Sequence, residues 1–221
     1  MTSQTQTCTR QHTVVTGAAT GIGRATALRL AASGQHVYAG VNLTGQLAVT
    51  QAFLPLLRQA RGRIVVISTI GVRFAPPFAS ALDAAKAALT ALADSLRHEL
   101  APWGIRVVVV EPASINSGAA DKVTRDAATA LAAAPEPRRA LYAGAFSSML
   151  AVMARRESNG SPPEVVAATV CRALTTPRPR TMYLSGRYAR RLATLSLLPA
   201  PVLDAAKRKV FKLPAPGSLT A

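Results

Sequence analysis

The chain has 221 residues, 49% of them hydrophobic, and a formal net charge of +16 from 26 Lys and Arg against 10 Asp and Glu. That length predicts one domain able to bury roughly 70% of the surface its unfolded form exposes, which excludes wholesale disorder. The positive balance admits anionic partners, but the cations are scattered and only 5% of residues are aromatic, so a nucleic-acid stacking platform is excluded. Cys8 and Cys171 form neither a metal pattern nor a disulfide framework, which fits a reducing, cytoplasmic setting. The start of the chain lacks the apolar stretch of a signal peptide, and no apolar run reaches the ~20 residues that span a bilayer.

In chain order, residues 1–12 read as a polar leader. Thr13, Val14, Val15 and Thr16 form a short β-branched strand that breaks at Gly17. An Ala- and Leu-rich helix follows over 24–33, and Gly34 stops it. Residues 36–40 (HVYAG) are a second strand, giving a parallel β–α–β unit with a right-handed crossover. The pattern over 43–59 predicts a helix with Leu47, Phe53, Leu54 and Leu57 to one side and a bend at Pro55. RIVVIS, 63–68, is a continuous apolar run and hence a buried strand. Residues 78–100 predict a long helix whose core stripe is Leu82, Leu89, Leu92, Leu96 and Leu100, ended by Pro102 and Gly104. IRVVVV, 105–110, is a further buried strand, stopped by Pro112.

Residues 119–157 are helical with interruptions at Pro135 and Pro137. Pro163 opens a helix reaching 174, and 181–184 is a last strand. The segment 187–212 is apolar and basic, broken at Pro199 and Pro201. Arg190, Arg191, Lys207, Arg208, Lys209 and Lys212 flank Leu192, Leu195, Leu197, Leu198, Leu203 and Phe211 there. Two readings fit: a lid packed on the site or core, and an amphipathic segment at a membrane surface.

The stretch 16–23, TGAATGIG, follows a strand and opens a helix. Gly17 supplies a tight turn, Gly21 lets backbone approach a pyrophosphate, and Gly23 lets helix and strand pack closely. The amides and positive end of the helix then face the anion. The plain alternative is an ordinary strand-to-helix turn. Arg24 sits just inside the helix, and no acid ends the second strand to hold a ribose 2′-hydroxyl, which tilts the reading towards NADP over NAD.

These segments resemble the short-chain dehydrogenase/reductase family. TGAATGIG is similar to its TGxxxGxG signature. VNLTGQLAVTQAFLPLL resembles its asparagine-bearing helix, GRIVVISTIG its serine strand, and ALDAAKAALTALADSLRHELAPWGIRVVVVEPASI its catalytic helix, next strand and following loop. The similarity runs from Thr13 onward and is closest to the hydroxysteroid and retinol dehydrogenase branch. It implies a Rossmann-like, doubly wound parallel α/β sheet in three layers, and a reaction that moves hydride between NADP(H) and a lipophilic alcohol or ketone. It also implies catalytic roles for Asn42, Thr69 and Lys86. Cofactor contacts would come from Gly17, Thr20, Gly21, Ile22, Gly23, Arg24, Lys86, Pro112, Ile115 and Ser117, with no metal. A homodimer would form through the helices at 43–59 and 78–100, whose leucine stripes are alternatively simple core.

Three departures stand against that pattern. The family's YxxxK motif keeps Lys86, but Leu82 occupies the tyrosine position. The family serine falls on Thr69 in an ungapped match, with Ser68 as neighbour. The chain also passes from the second strand straight to the helix with Asn42, which omits two strand–helix units, roughly 60 residues. The remaining strands can close in the order 2-1-5-6-7, with the strand at 63–68 beside the first. Ala113 replaces a family glycine and crowds the nicotinamide side if that position needs positive φ. A tyrosine phenol has an ordinary pKa of ~10, which a nearby lysine lowers; leucine has no proton to give. Asp83 is turned about 100° away along the helix and is no substitute. The expected organisation is a leader at 1–12, a dinucleotide-binding unit at 13–186 and a helical extension at 187–221. Activity is expected to be impaired, and the alternative is an inactive nucleotide-binding or subunit-pairing homologue.

Overall fold

The computed structural model describes residues 43–218. The glycine loop, Arg24, Asn42, the leader and the first two expected strands lie outside the described residues, and so does the expected pairing of the strand at 63–68 with the first.

In chain order the elements are α1 (Leu43–Ala60), β1 (Arg63–Ile67), α2 (Gly71–Phe74), α3 (Ser80–Leu100), β2 (Arg106–Pro112), α4 (Ala119–Ala133), α5 (Glu136–Ser158), α6 (Pro163–Thr175), β3 (Met182–Ser185), α7 (Ala189–Leu195) and α8 (Ala200–Phe211). The strands are parallel and ordered β1-β2-β3. Register runs from Arg63 opposite Arg106 to Ile67 opposite Val110, and from Val109 opposite Met182 to Pro112 opposite Ser185. The carboxyl ends of all three strands therefore gather at one edge of the sheet.

Strand alternation sorts the valines of β2 between two faces. Val107 and Val109 join Val66 beneath Leu89, Ala93 and Leu100 of α3, with Leu54 and Leu57 of α1 packed alongside. Val110 turns the other way, onto Val166 and Val170 of α6 and onto Ile115. Helices on both faces of a parallel sheet make the three-layer, Rossmann-like α/β architecture expected from the sequence. Each valine buried this way contributes about 1.5–3 kcal/mol.

The boundaries differ from the expectation for local reasons. Phe78 has φ 63, a left-handed conformation no helix accepts, so α3 starts at Ser80. β2 runs through Pro112 rather than stopping before it. The proline lacks only its own N–H; its carbonyl accepts Ile70 N–H at 3.0 Å, and Ala113 N–H continues the ladder to the Ser185 carbonyl at 2.9 Å. Pro137 and Pro201 open α5 and α8 instead of interrupting them, because a first helical turn does not need the missing N–H. Leu89, Leu92, Leu96 and Leu100 form the core stripe, but Leu82 is 52% exposed and outside it.

Two further joints hold helices together. After α3 a 3₁₀ turn, Ala101–Trp103, ends at Gly104 with φ 72, and the Arg58 guanidinium of α1 lies 4.1 Å over the Trp103 ring. At the other end of the chain, Ala189 and Leu192 of α7 pack on Ile70 and Ala113, and Phe211 of α8 is buried against Phe74 at 6.4 Å between ring centroids.

Gly186 follows β3 at φ 87, where a Cβ would stand 2.4 Å from the Ala113 carbonyl oxygen and 2.4 Å from Ile115 Cδ1. Strain and overlap act together there, so Gly186→Ala should cost about 3 kcal/mol or more of stability, read as a lower urea midpoint at unchanged slope.

Candidate functional site

Open α/β sheets take ligands at the carboxyl ends of their strands, and the described candidate residues converge on that edge. After β1 the chain stays paired with β2, through Ser68 N–H to the Val110 carbonyl at 2.9 Å and Ile70 N–H to the Pro112 carbonyl at 3.0 Å. Ser68 and Thr69 are thus held in register, and their hydroxyls do different things. Ser68 is buried, its hydroxyl 2.7 Å from Thr90 Oγ1 of α3. Thr90 in turn donates to the Lys86 carbonyl. Ser68 therefore bolts strand to helix. Thr69 is half-buried, and its Oγ1 accepts the Gly71 N–H at 3.1 Å, which leaves its proton to donate.

Lys86 reaches from α3 to the same edge, where its ammonium donates to the Ile67 carbonyl at 2.8 Å. Burial pushes its pKa below the ordinary lysine value. One helical turn earlier, Leu82 presents an exposed aliphatic side chain. Asp83, one residue on, points inward: it is 8% exposed and its Oδ2 has no hydrogen-bond partner. Its Oδ1 crowds Gly71, where a Cβ would lie 2.5 Å away. Burial raises the Asp83 pKa. The helix thus directs Leu82 and Asp83 to different surroundings, as the rotation per residue requires.

The loop after β2 is arranged differently from the expectation. Ser114, not Ala113, takes the positive φ, at 45, and Ala113 is buried against α7. The loop is clamped to Ser161, whose N–H meets the Ser114 carbonyl at 2.8 Å while Asn116 N–H meets the Ser161 carbonyl at 2.8 Å. Ile115 puts its side chain into the core beside Val166 and Val170. Ser117 gives both its N–H (2.9 Å) and its hydroxyl (3.1 Å) to Glu157 Oε1. The same carboxylate accepts Ala119 N–H at 2.8 Å and Ala120 N–H at 2.5 Å, so a side chain from the end of α5 caps the start of α4. The sequence reading missed Glu157. A signal existed: an acid in the last turn of a helix opposes the dipole of that helix and needs donors elsewhere.

Beside Phe78, four residues before Leu82, an apolar cavity of about 270 Å³ is lined by Phe78, Leu141, Tyr142, Ala145, Leu213 and Pro214. Phe78 also meets Phe146 edge-on at 5.4 Å. Among the described residues, no cluster of His, Cys, Asp or Glu has the make-up of a metal site.

A family model described as short chain dehydrogenase matches residues 38–128. Retinol dehydrogenase 5 of Mus musculus is 36% identical over 181 residues, 79% of this chain and 57% of that protein. The 17-beta-hydroxysteroid dehydrogenase type 6 of Rattus norvegicus is 33% identical over 169 residues, 74% of this chain and 53% of that protein. The chain belongs to the short-chain dehydrogenase/reductase family. Its similarity falls on the retinol and hydroxysteroid branch, and it spans little more than half the length of those relatives. In fold it is similar to a short-chain dehydrogenase from Streptomyces avermitilis, with TM-score 0.64 and 19% identity over 93% of this chain and 96% of that one. A short-chain dehydrogenase from Burkholderia cenocepacia, solved in complex with NADP, gives TM-score 0.62 and 19% identity over 88% and 96%.

Two outcomes follow from this edge. Asp83 holds its proton more tightly folded than unfolded, so stability falls as pH rises from the ordinary aspartate value through the raised folded one. Asp83→Asn removes that fall: its melting temperature should gain on the wild type as pH rises above the ordinary aspartate value, with the two converging at the acid end. Glu157→Gln should lower stability by about 1–2 kcal/mol at neutral pH through the weakened α4 cap, read by urea unfolding.

Proposed function

We propose that this chain binds a nicotinamide dinucleotide, NADP(H) in preference to NAD, and that its family reaction with a lipophilic alcohol or ketone is impaired. The carrying observation is Leu82, an exposed aliphatic side chain one turn before a lysine that still reaches the carboxyl edge of the sheet. A bound nicotinamide supplies the hydride.

The described residues fit such a cofactor in part. The Lys86 ammonium at the strand ends fits a ribose hydroxyl. The amide and hydroxyl of Ser117 are already given to Glu157, and the Ile115 side chain is in the core, so the loop 112–117 accepts a phosphate or carboxamide only if Glu157 gives way. Family membership and the loop 16–23 support pyrophosphate binding at Gly17, Gly21 and Gly23, with Thr20, Ile22 and Arg24 beside them. Arg24, together with the missing acid after HVYAG, favours NADP.

In this reading Thr69 donates a hydrogen bond to the substrate oxygen, Lys86 orients the sugar, and Asn42 supports proton exchange with water. No described residue stands in for the tyrosine: Leu82 carries no proton, and the Asp83 carboxyl is buried away from it. Loss of a general acid–base group lowers the rate by about 10²–10⁴. The apolar cavity at Phe78, with relatives named for retinol and steroids, favours a lipophilic substrate. Pairing of subunits through α1 and α3 is compatible with the exposed Leu56 and Leu82, although Leu43, Leu54, Leu57, Leu89, Leu92, Leu96 and Leu100 serve the core of one chain.

Titration calorimetry should find NADPH binding in the full chain, with carbonyl reduction near the solvent background. Leu82→Tyr should raise turnover by about 10²-fold or more at similar dinucleotide affinity. A folded protein that ignores both dinucleotides at millimolar concentration sinks the reading. Binding with no gain from Leu82→Tyr favours the second one, a nucleotide-binding homologue without catalysis, to which the Glu157-filled loop also points.

A further inference from the structure

We propose that the corner between α7 and α8 is a docking surface for an anionic membrane. Its apex is an exposed apolar run: Leu197 is 80% exposed, Val202 52%, Leu198 41% and Leu195 37%. Pro199 and Pro201, also exposed, stand among them where α7 gives way to α8, and no described element covers the run. Burying these side chains in water-free surroundings is favourable, and nothing within the described residues does so.

The corner is rigidly presented. α7 is anchored through Ala189 and Leu192 on the site-bearing segment, and α8 through Phe211 on Phe74, with the Lys207 ammonium 5.7 Å over the same ring. Helical spacing places Leu203, Lys207 and Phe211 on the anchored side of α8. Val202 and Lys209 fall on the opposite, exposed side, and Lys212 is exposed just past the helix end. On α7, Arg190 and Arg191 face away from the buried Ala189 and Leu192.

Over residues 187–212 there are seven Lys and Arg against the single Asp204. An apolar tip within a cationic rim is the chemistry of an interfacial segment, in which apolar insertion and attraction to anionic headgroups add. A second copy of the chain fits worse, because facing two such corners would press the cations of one rim against those of the other. A nucleic acid would answer the cations but leave the leucines in water. Among the described residues no helix is long and apolar enough to cross a membrane, so the contact is peripheral.

The test is co-sedimentation of the full chain with vesicles of phosphatidylcholine alone or with one quarter phosphatidylserine. Partitioning into the anionic vesicles should exceed that into neutral ones about tenfold or more and collapse in half-molar salt. The doubly substituted Leu197→Ser/Leu198→Ser protein should bind about tenfold or more weakly, with its thermal transition unchanged because both residues are exposed. Reversal of charge at Arg190, Arg191 and Lys209 should remove the preference for phosphatidylserine while dinucleotide titration stays as in the wild type. A protein that stays in the supernatant at low salt overturns the proposal. So does undiminished binding by the leucine variant. A dimer in light scattering that the leucine variant dissolves assigns the corner to a second copy instead.

Discussion

Glu111 puts a carboxylate near the carboxyl end of the central strand, 1% exposed, and the order of the site edge follows from how that charge is answered. An unpaired charge at such depth is costly, and loss of one partner of a buried pair typically takes about 3–5 kcal/mol. Arg73 meets it at 2.6 Å. Arg73 belongs to the single turn of α2, directly after Thr69 and Gly71, so the ion pair draws that short segment down onto β2. The same guanidinium touches Met182 Sδ on β3, and one side chain thereby links the segment after β1 to both remaining strands.

Held this way, the edge is a set of fastened groups. Ser68 and Thr90 fasten strand to helix, Lys86 closes on the Ile67 carbonyl, and Thr69 keeps a donor to spare. One turn before Lys86, Leu82 projects an exposed side chain, and the acid beside it is turned inward next to Gly71. The amides at the start of α4 are likewise held, by the carboxylate of Glu157. The central strand is buried from Val107 to Pro112, so the edge rests on a sheet packed on both faces.

Much of this was legible in the residues. RIVVIS and IRVVVV read as buried strands, and the helix packed over them brings Lys86 to the edge where Thr69 stands. Element ends were less legible because single backbone conformations decide them: the positive φ of Phe78 and the tolerance of Pro112 at the end of a ladder have no periodic signal. That Ser68 is tied to the helix rests on its partner Thr90, 22 residues away. The contact of Glu157 with Ser117 spans 40 residues and exists only because α4 and α5 fold back on each other. A lone Glu between four valines and a proline was the readable trace of the buried pair, since only a cation delivered from elsewhere lets it stay.

Trp103 is the single tryptophan of the chain, and the guanidinium of Arg58 rests on its face. The indole therefore stands where α1 arrives against the end of α3, far along the helix from Leu82. A cation stacked on an indole alters its emission, so the chain carries a built-in optical gauge of whether its first described helix is seated.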